Sequence, residues 1–366
     1  MKQLTMTLPG KSRSYEILIG SGLLDQCGGE IRSRYPQVKR VAIITDSHVA
    51  PLYGEKVQQL LEQQGFQVKT VVFPAGEASK NMTTLAEIYD GLLSPQPFAL
   101  TRGDLVIALG GGVTGDMGGF AAGTILRGVP LIQIPTTLLA QVDSSVGGKV
   151  AIDLKQGKNL AGMFYQPRLV LIDPDTLDTL PGRVFWDGMG EVIKYGLIQL
   201  PHLLELLEAH PSRTALRPFM EEIISASCDC KRQVVEMDEE DTGWRMILNF
   251  GHTLGHAYEK LGHYETYMHG EAVCCGMVSI LRIGEQQGLT KPGTADRLIR
   301  LLEQVDLPAF ADAVPQDALL ETLSFDKKGA GSRITPVFCK EPGQVELHPM
   351  EKQEFARWVA EMRAEG

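Results

Sequence analysis

His252 and His256 in FGHTLGH (250–256), and His269 in MHGEA (268–272), fall within eighteen residues of a chain with eight histidines. His252 and His256, four apart, share one face of a helix. Imidazoles converging with a carboxylate are a ligand set for zinc or a similar divalent ion. A lone pair at this spacing is more often an ordinary surface feature. Three histidines flanked by glycines in so short a stretch favour a metal, and on spacing alone His252 and His256 are the obvious pair. GEVIKYG (190–196) adds Glu191 and Lys194, three apart on one helical face. Taken alone, that E-x-x-K reads as a surface ion pair.

GGGVTGDMGGF (110–120) follows the strand-like run DLVIALG. Glycines there let backbone N–H groups approach a phosphate, and a following helix N-terminus adds favourable partial charge. The string satisfies GxGxxG at Gly110, Gly112 and Gly115, a pattern that any glycine run meets cheaply. The acidic residue expected about 20 positions later is missing, and Arg127 stands in that region. A nucleotide site and a merely tight turn both remain open on this motif. Two further strand ends help. Asp46 closes AIITD, where a carboxylate can accept from ribose hydroxyls, and PAGEASK (74–80) supplies Glu77 and Lys80. Together the three strand ends point to dinucleotide binding. QVDSSVGGKVAIDLKQGKNLAG (141–162) carries Asp143, Lys149, Lys158 and Asn159. It reads either as a solvated hairpin or as a binder of phosphate or carboxylate. Lys231, Arg245 and the pair Lys327–Lys328 are further cations.

These residues must be positioned by the elements around them. RVAIITD (40–46), QVKTVVF (67–73), DLVIALG (104–110) and VPLIQIP (129–135) are strand-like, and helical patterns separate them over 51–65 and 81–93. Strands alternating with such helices predict βαβ units and a largely parallel sheet. From about residue 175 strand-like runs become scarce, and helical patterns dominate in GEVIKYGLIQ, FMEEIISASCDCKRQVV, HGEAVCCGMVSILRIGEQQG and TADRLIRLLEQV. We expect two domains, an α/β domain over 1–175 and a mainly α-helical one over 176–366, with PDTLDTLPGR (174–183) as the linker. Active sites commonly lie in clefts between two such domains.

Composition narrows the function class. The chain has 366 residues, 43% hydrophobic and 22% charged, which is ordinary for a soluble enzyme. The net charge of −10 argues against nucleic acid as main partner, since phosphate backbones need a basic face, but not against a small anion met by a local cluster. No apolar run suits a membrane span, and the strand-like N-terminus lacks the apolar stretch of a signal peptide. Six cysteines, in neither a disulfide framework nor a paired CxxC pattern, suggest a reduced, cytoplasmic compartment.

GGGVTGD, IPTTLLAQVDSSVGGKVAID with GKNLAG, GMGEVIKYGLI, RMILNFGHTLGHA, HGEAV and FDKK resemble, in this order, the motif series of the 3-dehydroquinate synthases. The resemblance runs from about residue 40 to 340. DSSVGGK follows these enzymes rather than the related inosose synthases. RITPVFCKEPGQVELHPM keeps only a loose likeness to the family's closing strand pair. The resemblance implies a Rossmann-like NAD-binding domain joined to a helical domain, with the site in the cleft. It implies one divalent ion, zinc or cobalt, on Glu191, His252 and His269, with His256 turned to the substrate. That overrules the pair chosen on spacing.

The same resemblance assigns NAD contacts to Asp46, Gly76, Glu77 and Lys80, and to Gly112, Val113, Thr114, Gly115 and Asp116. It adds Thr136, Thr137, Lys149 and Lys158, and the segment Thr176, Leu177, Asp178 and Thr179. Substrate contacts or catalytic roles fall on Asp143, Lys149, Asn159, Lys194, Lys231, Arg245, Asn249 and His256. His256 and Lys194 are the implied proton relays. Arg127 is implied to reach the neighbouring subunit's site in a homodimer. The implied reaction converts 3-deoxy-D-arabino-heptulosonate 7-phosphate to 3-dehydroquinate and phosphate, a carbon–oxygen lyase step of the shikimate pathway of aromatic amino-acid biosynthesis. It runs through transient oxidation by NAD, β-elimination of phosphate, re-reduction, ring opening and intramolecular aldol closure. The alternatives are a metal-dependent polyol or alcohol dehydrogenase of the same fold, another sugar-phosphate cyclase, and a non-catalytic binding protein. A neutral polyol would not need the cation cluster, and no ligand or cation is missing as a non-catalytic protein would require.

Overall fold

The computed structural model describes residues 1–7, 14–241, 243–325 and 332–364, so Lys327 and Lys328 lie outside the described residues. Contacts divide the chain into two compact units, Met1–Pro181 with Lys231–Glu240, and Gly182–Cys230 with Asp241–Gly366.

The first unit is built on a sheet of β1 (Lys2–Met6), β2 (Tyr15–Ile19), β3 (Arg40–Asp46), β4 (Gln67–Phe73), β5 (Leu105–Gly110), β6 (Leu131–Pro135) and β9 (Leu169–Ile172). Strands β7 (Lys149–Leu154) and β8 (Gly157–Phe164) form a separate antiparallel hairpin. The sheet order is β1-β2-β9-β6-β5-β3-β4, parallel throughout except for the edge pair β1–β2. Helices α1 (Leu23–Arg34), α2 (Glu55–Gln63), α3 (Met82–Leu93) and α4 (Gly112–Thr124) supply its packing partners. Successive strand side chains point to opposite faces. Val41, Ile43, Leu105 and Ile107 pack with Ile31 of α1 and Leu61 of α2. Their neighbours Ala42, Ile44, Val106 and Ala108 pack with Leu85 of α3 and Met117 of α4. A strand covered on both faces must be apolar at every position, which is why these runs show no polar alternation.

Strand β3 has β4 on one side and β5 on the other, so the winding direction reverses between β3 and β5. In open α/β sheets ligands bind outside the carboxyl ends of the strands at such a reversal. Asp46 ends β3 and Gly110 ends β5, one on each side of it. Gly118 lets α4 lie close on the sheet, since a Cβ there would meet the Ala108 Cβ at 2.8 Å.

The second unit is mainly helical. It contains α5 (Gly182–Ile198), α6 (Pro201–Ala209), the one-turn α7 (Arg213–Leu216) and most of α8 (Met220–Met237). It continues with α9 (His252–Leu261), α10 (His269–Gln286), α11 (Thr294–Gln304), α12 (Gln316–Phe325) and α13 (Lys352–Ala364). Val337–Glu341 and Gln344–Leu347 pair as an antiparallel hairpin in the segment whose sequence likeness is loosest. Among the described residues no helix is long and apolar enough to cross a membrane. All six cysteines are free and buried.

Candidate functional site

Helix α5 is buried at every residue from Phe185 to Ile198 except Trp186. Glu191 and Lys194 are therefore enclosed, with side chains 1% and 2% exposed, and the surface ion pair suggested by E-x-x-K does not exist. Their pairing is internal, with the Lys194 ammonium against Glu191 Oε2. Burial alone would raise the Glu191 carboxyl, but Lys194 and then the histidines hold it well below the usual carboxylate range. Glu191 is thus kept as an anion in the interior. Both of its oxygens are buried, Oε2 facing Lys194 and Oε1 facing two histidines.

Backbone contacts between helices deliver the histidines to this carboxylate. A Cβ on Gly190 would meet the carbonyl oxygen of Gly270 at 2.7 Å, and one on Gly270 would meet that of Asp187 at 1.8 Å. Only glycines allow α5 and α10 to cross this closely, and each is the chain neighbour of a predicted ligand. Asp187 Oδ1 accepts from the N–H groups of Gly270 (2.6 Å) and Glu271 (3.3 Å), capping the first turn of α10 from outside. Glu271 closes the same turn by accepting from Met268 N–H, and Arg183 forks onto its two oxygens at 2.6 and 2.7 Å. Helix α9 starts at Gly251, whose φ of 78° favours glycine, and a Cβ on Gly276 would meet the Gly251 carbonyl oxygen at 2.0 Å.

The result is a cluster. Glu191 Oε1 lies 3.4 Å from His252 Nε2 and 3.3 Å from His269 Nε2. An ion bound by oxygen and nitrogen at about 2.0–2.1 Å in a tetrahedron holds its ligand atoms about 3.3 Å apart. The donor set and its spacing fit a zinc-like divalent ion. A second grouping, His256, Glu259 and His269, shares His269. There the spacing is looser, with His256 Nε2 4.0 Å from Glu259 Oε2 and the His256 side chain 63% exposed. Burial lowers His269, but Glu191 and Glu259 outweigh it and push the imidazole up to about 10. Arg245 and Asn249 stand in the 3₁₀ turn Trp244–Asn249 that leads to α9, Arg245 buried and Asn249 exposed.

In the first unit the predicted cofactor residues gather at the carboxyl ends of the parallel strands. Gly112, Val113, Thr114, Gly115 and Asp116 are the opening of α4. Thr114 Oγ1 donates to Asp46 Oδ2 (2.8 Å), and Oδ1 takes the N–H groups of His48 and Val49 (2.9 and 3.0 Å). A carboxylate has about four acceptor positions, so these three donors leave room for one more. Thr136 and Thr137 follow β6, and Thr137 packs against Gly111, where a Cβ would meet its Cγ2 at 2.8 Å. Gly76 (φ 105°) turns the chain into the short 3₁₀ segment Glu77–Ser79, which brings Lys80 inward. Lys80 Nζ reaches Asp116 Oδ2 (2.5 Å) and donates to Asn159 Oδ1 (2.6 Å), joining the α4 opening to the β7–β8 hairpin. Burial raises the Asp116 carboxyl, and the Lys80 charge opposes it. Lys158 pairs with Glu77 at 3.4 Å. Lys231 binds both the carbonyl oxygen (2.7 Å) and Oδ2 (2.9 Å) of Asp143. Lys149 is exposed at the start of β7, and Arg127 is exposed before β6.

Thr176, Leu177, Asp178 and Thr179 lie in a 3₁₀ segment, Pro174–Thr179, rather than in an open linker. Tyr53 Oη ties it down, 3.0 Å from the Thr176 carbonyl oxygen and 2.6 Å from Thr179 Oγ1. Prolines there read as chain punctuation, and these tertiary bonds left no local signal. Glu259, Asp187 and Gly270 also escaped the sequence reading. For Glu259 a signal did exist, because it falls three residues after His256 and seven after His252, on the same helical stripe.

Comparison with known proteins agrees with this architecture. The family model described as 3-dehydroquinate synthase N-terminal matches residues 70–187, and the corresponding C-terminal model matches 188–329. The 3-dehydroquinate synthase of Clostridium acetobutylicum is 46% identical over 359 residues, 98% of this chain and 99% of its own. That of Enterococcus faecalis strain OG1RF is 45% identical over 357 residues, 98% of each. Among solved structures, 2-deoxy-scyllo-inosose synthase complexed with carbaglucose-6-phosphate, NAD+ and Co2+ superposes with a TM-score of 0.85 at 25% identity, covering 98% of this chain and 100% of that one. Near-full-length identity to the synthases is thus well above that to the inosose enzyme, as DSSVGGK had indicated, and the chain belongs to the 3-dehydroquinate synthase family.

Proposed function

We propose that this chain converts 3-deoxy-D-arabino-heptulosonate 7-phosphate into 3-dehydroquinate and phosphate, with NAD and one divalent ion as resident cofactors. The observation that carries this reading is Lys194, 2% exposed against a carboxylate of the metal group. Lys194 offsets Glu191 in that pair, and with Arg245, also 2% exposed in the same unit, it supplies cations that an anionic sugar-acid phosphate needs and a neutral polyol does not. In the helical unit Glu191, His252 and His269 would hold the ion. When bound, the ion would supply Lewis acidity and NAD a reversible hydride acceptor.

The protein's own work is positioning and charge. Lys194 Nζ would hold a proton at a substrate oxygen beside Glu191. His256, exposed and with its ring centroid 5.3 Å from that of His252, would relay protons at Nε2. Arg245 and Asn249 would bind the substrate's anionic and hydroxyl groups. In the α/β unit Asp143, Lys149, Asn159 and Lys231 would contact substrate, while Asp46, Thr114, Lys80 and Asp116 would shape the NAD site. The leaving phosphate can serve as its own base, so no single general base is obligatory. The active form would be a homodimer, each site taking the partner subunit's Arg127. The test is incubation with the heptulosonate phosphate and NAD, following phosphate and NADH absorbance together. We expect phosphate release with no net NADH. Stoichiometric NADH build-up would favour the dehydrogenase reading instead.

A further inference from the structure

Both ring nitrogens of His269 face carboxylates. Nε2 is 3.3 Å from Glu191 Oε1, and Nδ1 is 3.4 Å from Glu259 Oε2. Glu259 is buried, its side chain 6% exposed, so its orientation is set by packing. It stands seven residues after His252 on α9, about two turns along one face. One stripe of α9 therefore presents His252 beside His269 Nε2 and Glu259 beside Nδ1. An ionised carboxylate only accepts, so in the neutral ring that an ion would take, the proton stays on Nδ1 toward Glu259 and the lone pair would be on Nε2. His252 follows the same rule, since its Nδ1 lies 3.2 Å from the carbonyl oxygen of Phe250. Each of the two histidines thus has an acceptor at Nδ1 and Glu191 at Nε2.

We propose that Glu259 is a positioning residue for the metal centre. By accepting from Nδ1–H it sets the tautomer and ring plane that offer His269 Nε2 to the ion. This rests on the reading of Glu191, His252 and His269 as ligands. Outer carboxylates of this kind orient ligand imidazoles and raise their basicity, and losing one typically weakens metal binding about 10–100-fold. The competing arrangement makes Glu259 itself a ligand, with His256 and His269 Nδ1. A neutral imidazole has one lone-pair nitrogen, so an ion at Nδ1 would exclude one at Nε2. The exposed His256, 4.0 Å from Glu259, is the weaker anchor of the two sets.

The test titrates metal-stripped protein with Co2+ against a chromophoric chelator, for wild type, Glu259→Ala, Glu259→Gln, His256→Ala and His269→Ala. Visible Co2+ spectra and thermal unfolding of each metal-free protein accompany it. We expect Glu259→Ala to weaken Co2+ binding about 10–100-fold and to alter the ligand-field bands. Glu259→Gln, whose amide oxygen can still accept from Nδ1–H, should show a smaller loss, and His256→Ala should bind as wild type. Unchanged affinity and spectrum in Glu259→Ala, with only its melting lowered, would reduce Glu259 to a packing role and overturn the proposal. Should the alanine variant not fold, wild-type affinity and spectrum in Glu259→Leu, which cannot accept from Nδ1–H, would overturn it equally. Equal metal loss in Glu259→Ala and His256→Ala would make Glu259 a ligand. Wild-type affinity in His269→Ala would instead bring down the ligand reading itself.

Discussion

His252 and His256 are one turn apart on α9, yet only His252 points into the buried cluster. Its side chain is 13% exposed with Nε2 3.4 Å from Glu191, whereas that of His256 is 63% exposed and its nearest carboxylate is Glu259 at 4.0 Å. Alanine at Glu191, His252 or His269 should therefore strip the metal. His256→Ala should keep metal content near wild type while lowering turnover about 10²–10⁴-fold, the usual worth of a positioned acid–base group. Metal analysis decides it, and a His256→Ala protein as metal-poor as His252→Ala would reverse the assignment. Spacing alone ranked these two histidines together because the i, i+4 rule reports a shared face, not which residue meets a neighbour. The carboxylate facing His252 is 61 positions before it; E-x-x-K drew attention to Glu191 only as a surface ion pair, and the resemblance alone made it a ligand.

At the scale of elements, the metal cluster depends on how closely three helices cross. Gly190 and Gly270 stand at the α5–α10 contact, beside Glu191 and His269, so any added atom would part the helices that carry those side chains. Gly270→Ala places a Cβ 1.8 Å from the Asp187 carbonyl oxygen, where backbone must move. We expect a loss of about 1–3 kcal/mol, the range for overpacking, together with weaker metal binding. Gly29→Ala, in α1 with nothing within 4 Å, should be neutral or gain about 0.5–1 kcal/mol from helix propensity. Denaturant unfolding and a metal titration on both variants test the contrast, and a Gly270→Ala protein as stable as wild type would refute it. The strands behind this framework were legible: RVAIITD and QVKTVVF are β3 and β4 residue for residue, the first because a strand buried on both faces is apolar almost throughout, the second because its valines favour β structure even at the half-exposed edge of the sheet. The crossing glycines were not. In a helix, a glycine that admits another backbone looks like any other glycine until its neighbour is known.

For the molecule as a whole, periodicity announced strands but could not order them, so the reversal between β3 and β5 that brings Asp46 to Thr114 became visible only in the fold. The same holds for Arg127, whose sequence position says nothing about which subunit it serves. Leu126 and Arg127 have φ of 52° and 66°, and Gly128 has φ of 111°, so three successive residues leave the ordinary backbone regions. Arg102 Nε pins this turn by donating to the Leu126 carbonyl oxygen at 2.6 Å. Strain of this kind persists where the surroundings impose it and is common at functional positions. The turn leaves Arg127 exposed, and its planar fork can pair two phosphate oxygens at once. If the active form is a two-fold dimer, each site can receive one such arginine from its partner. The experiment mixes Arg127→Ala and His256→Ala, each inactive alone, after dissociation and reassociation. With Arg127 acting in trans, a mixed dimer has one intact site and one doubly defective site. Random pairing makes about half the dimers mixed, so activity should return to roughly a quarter of wild type. No recovery, with mixed dimers verified by mass, would confine Arg127 to its own subunit or remove it from the site altogether.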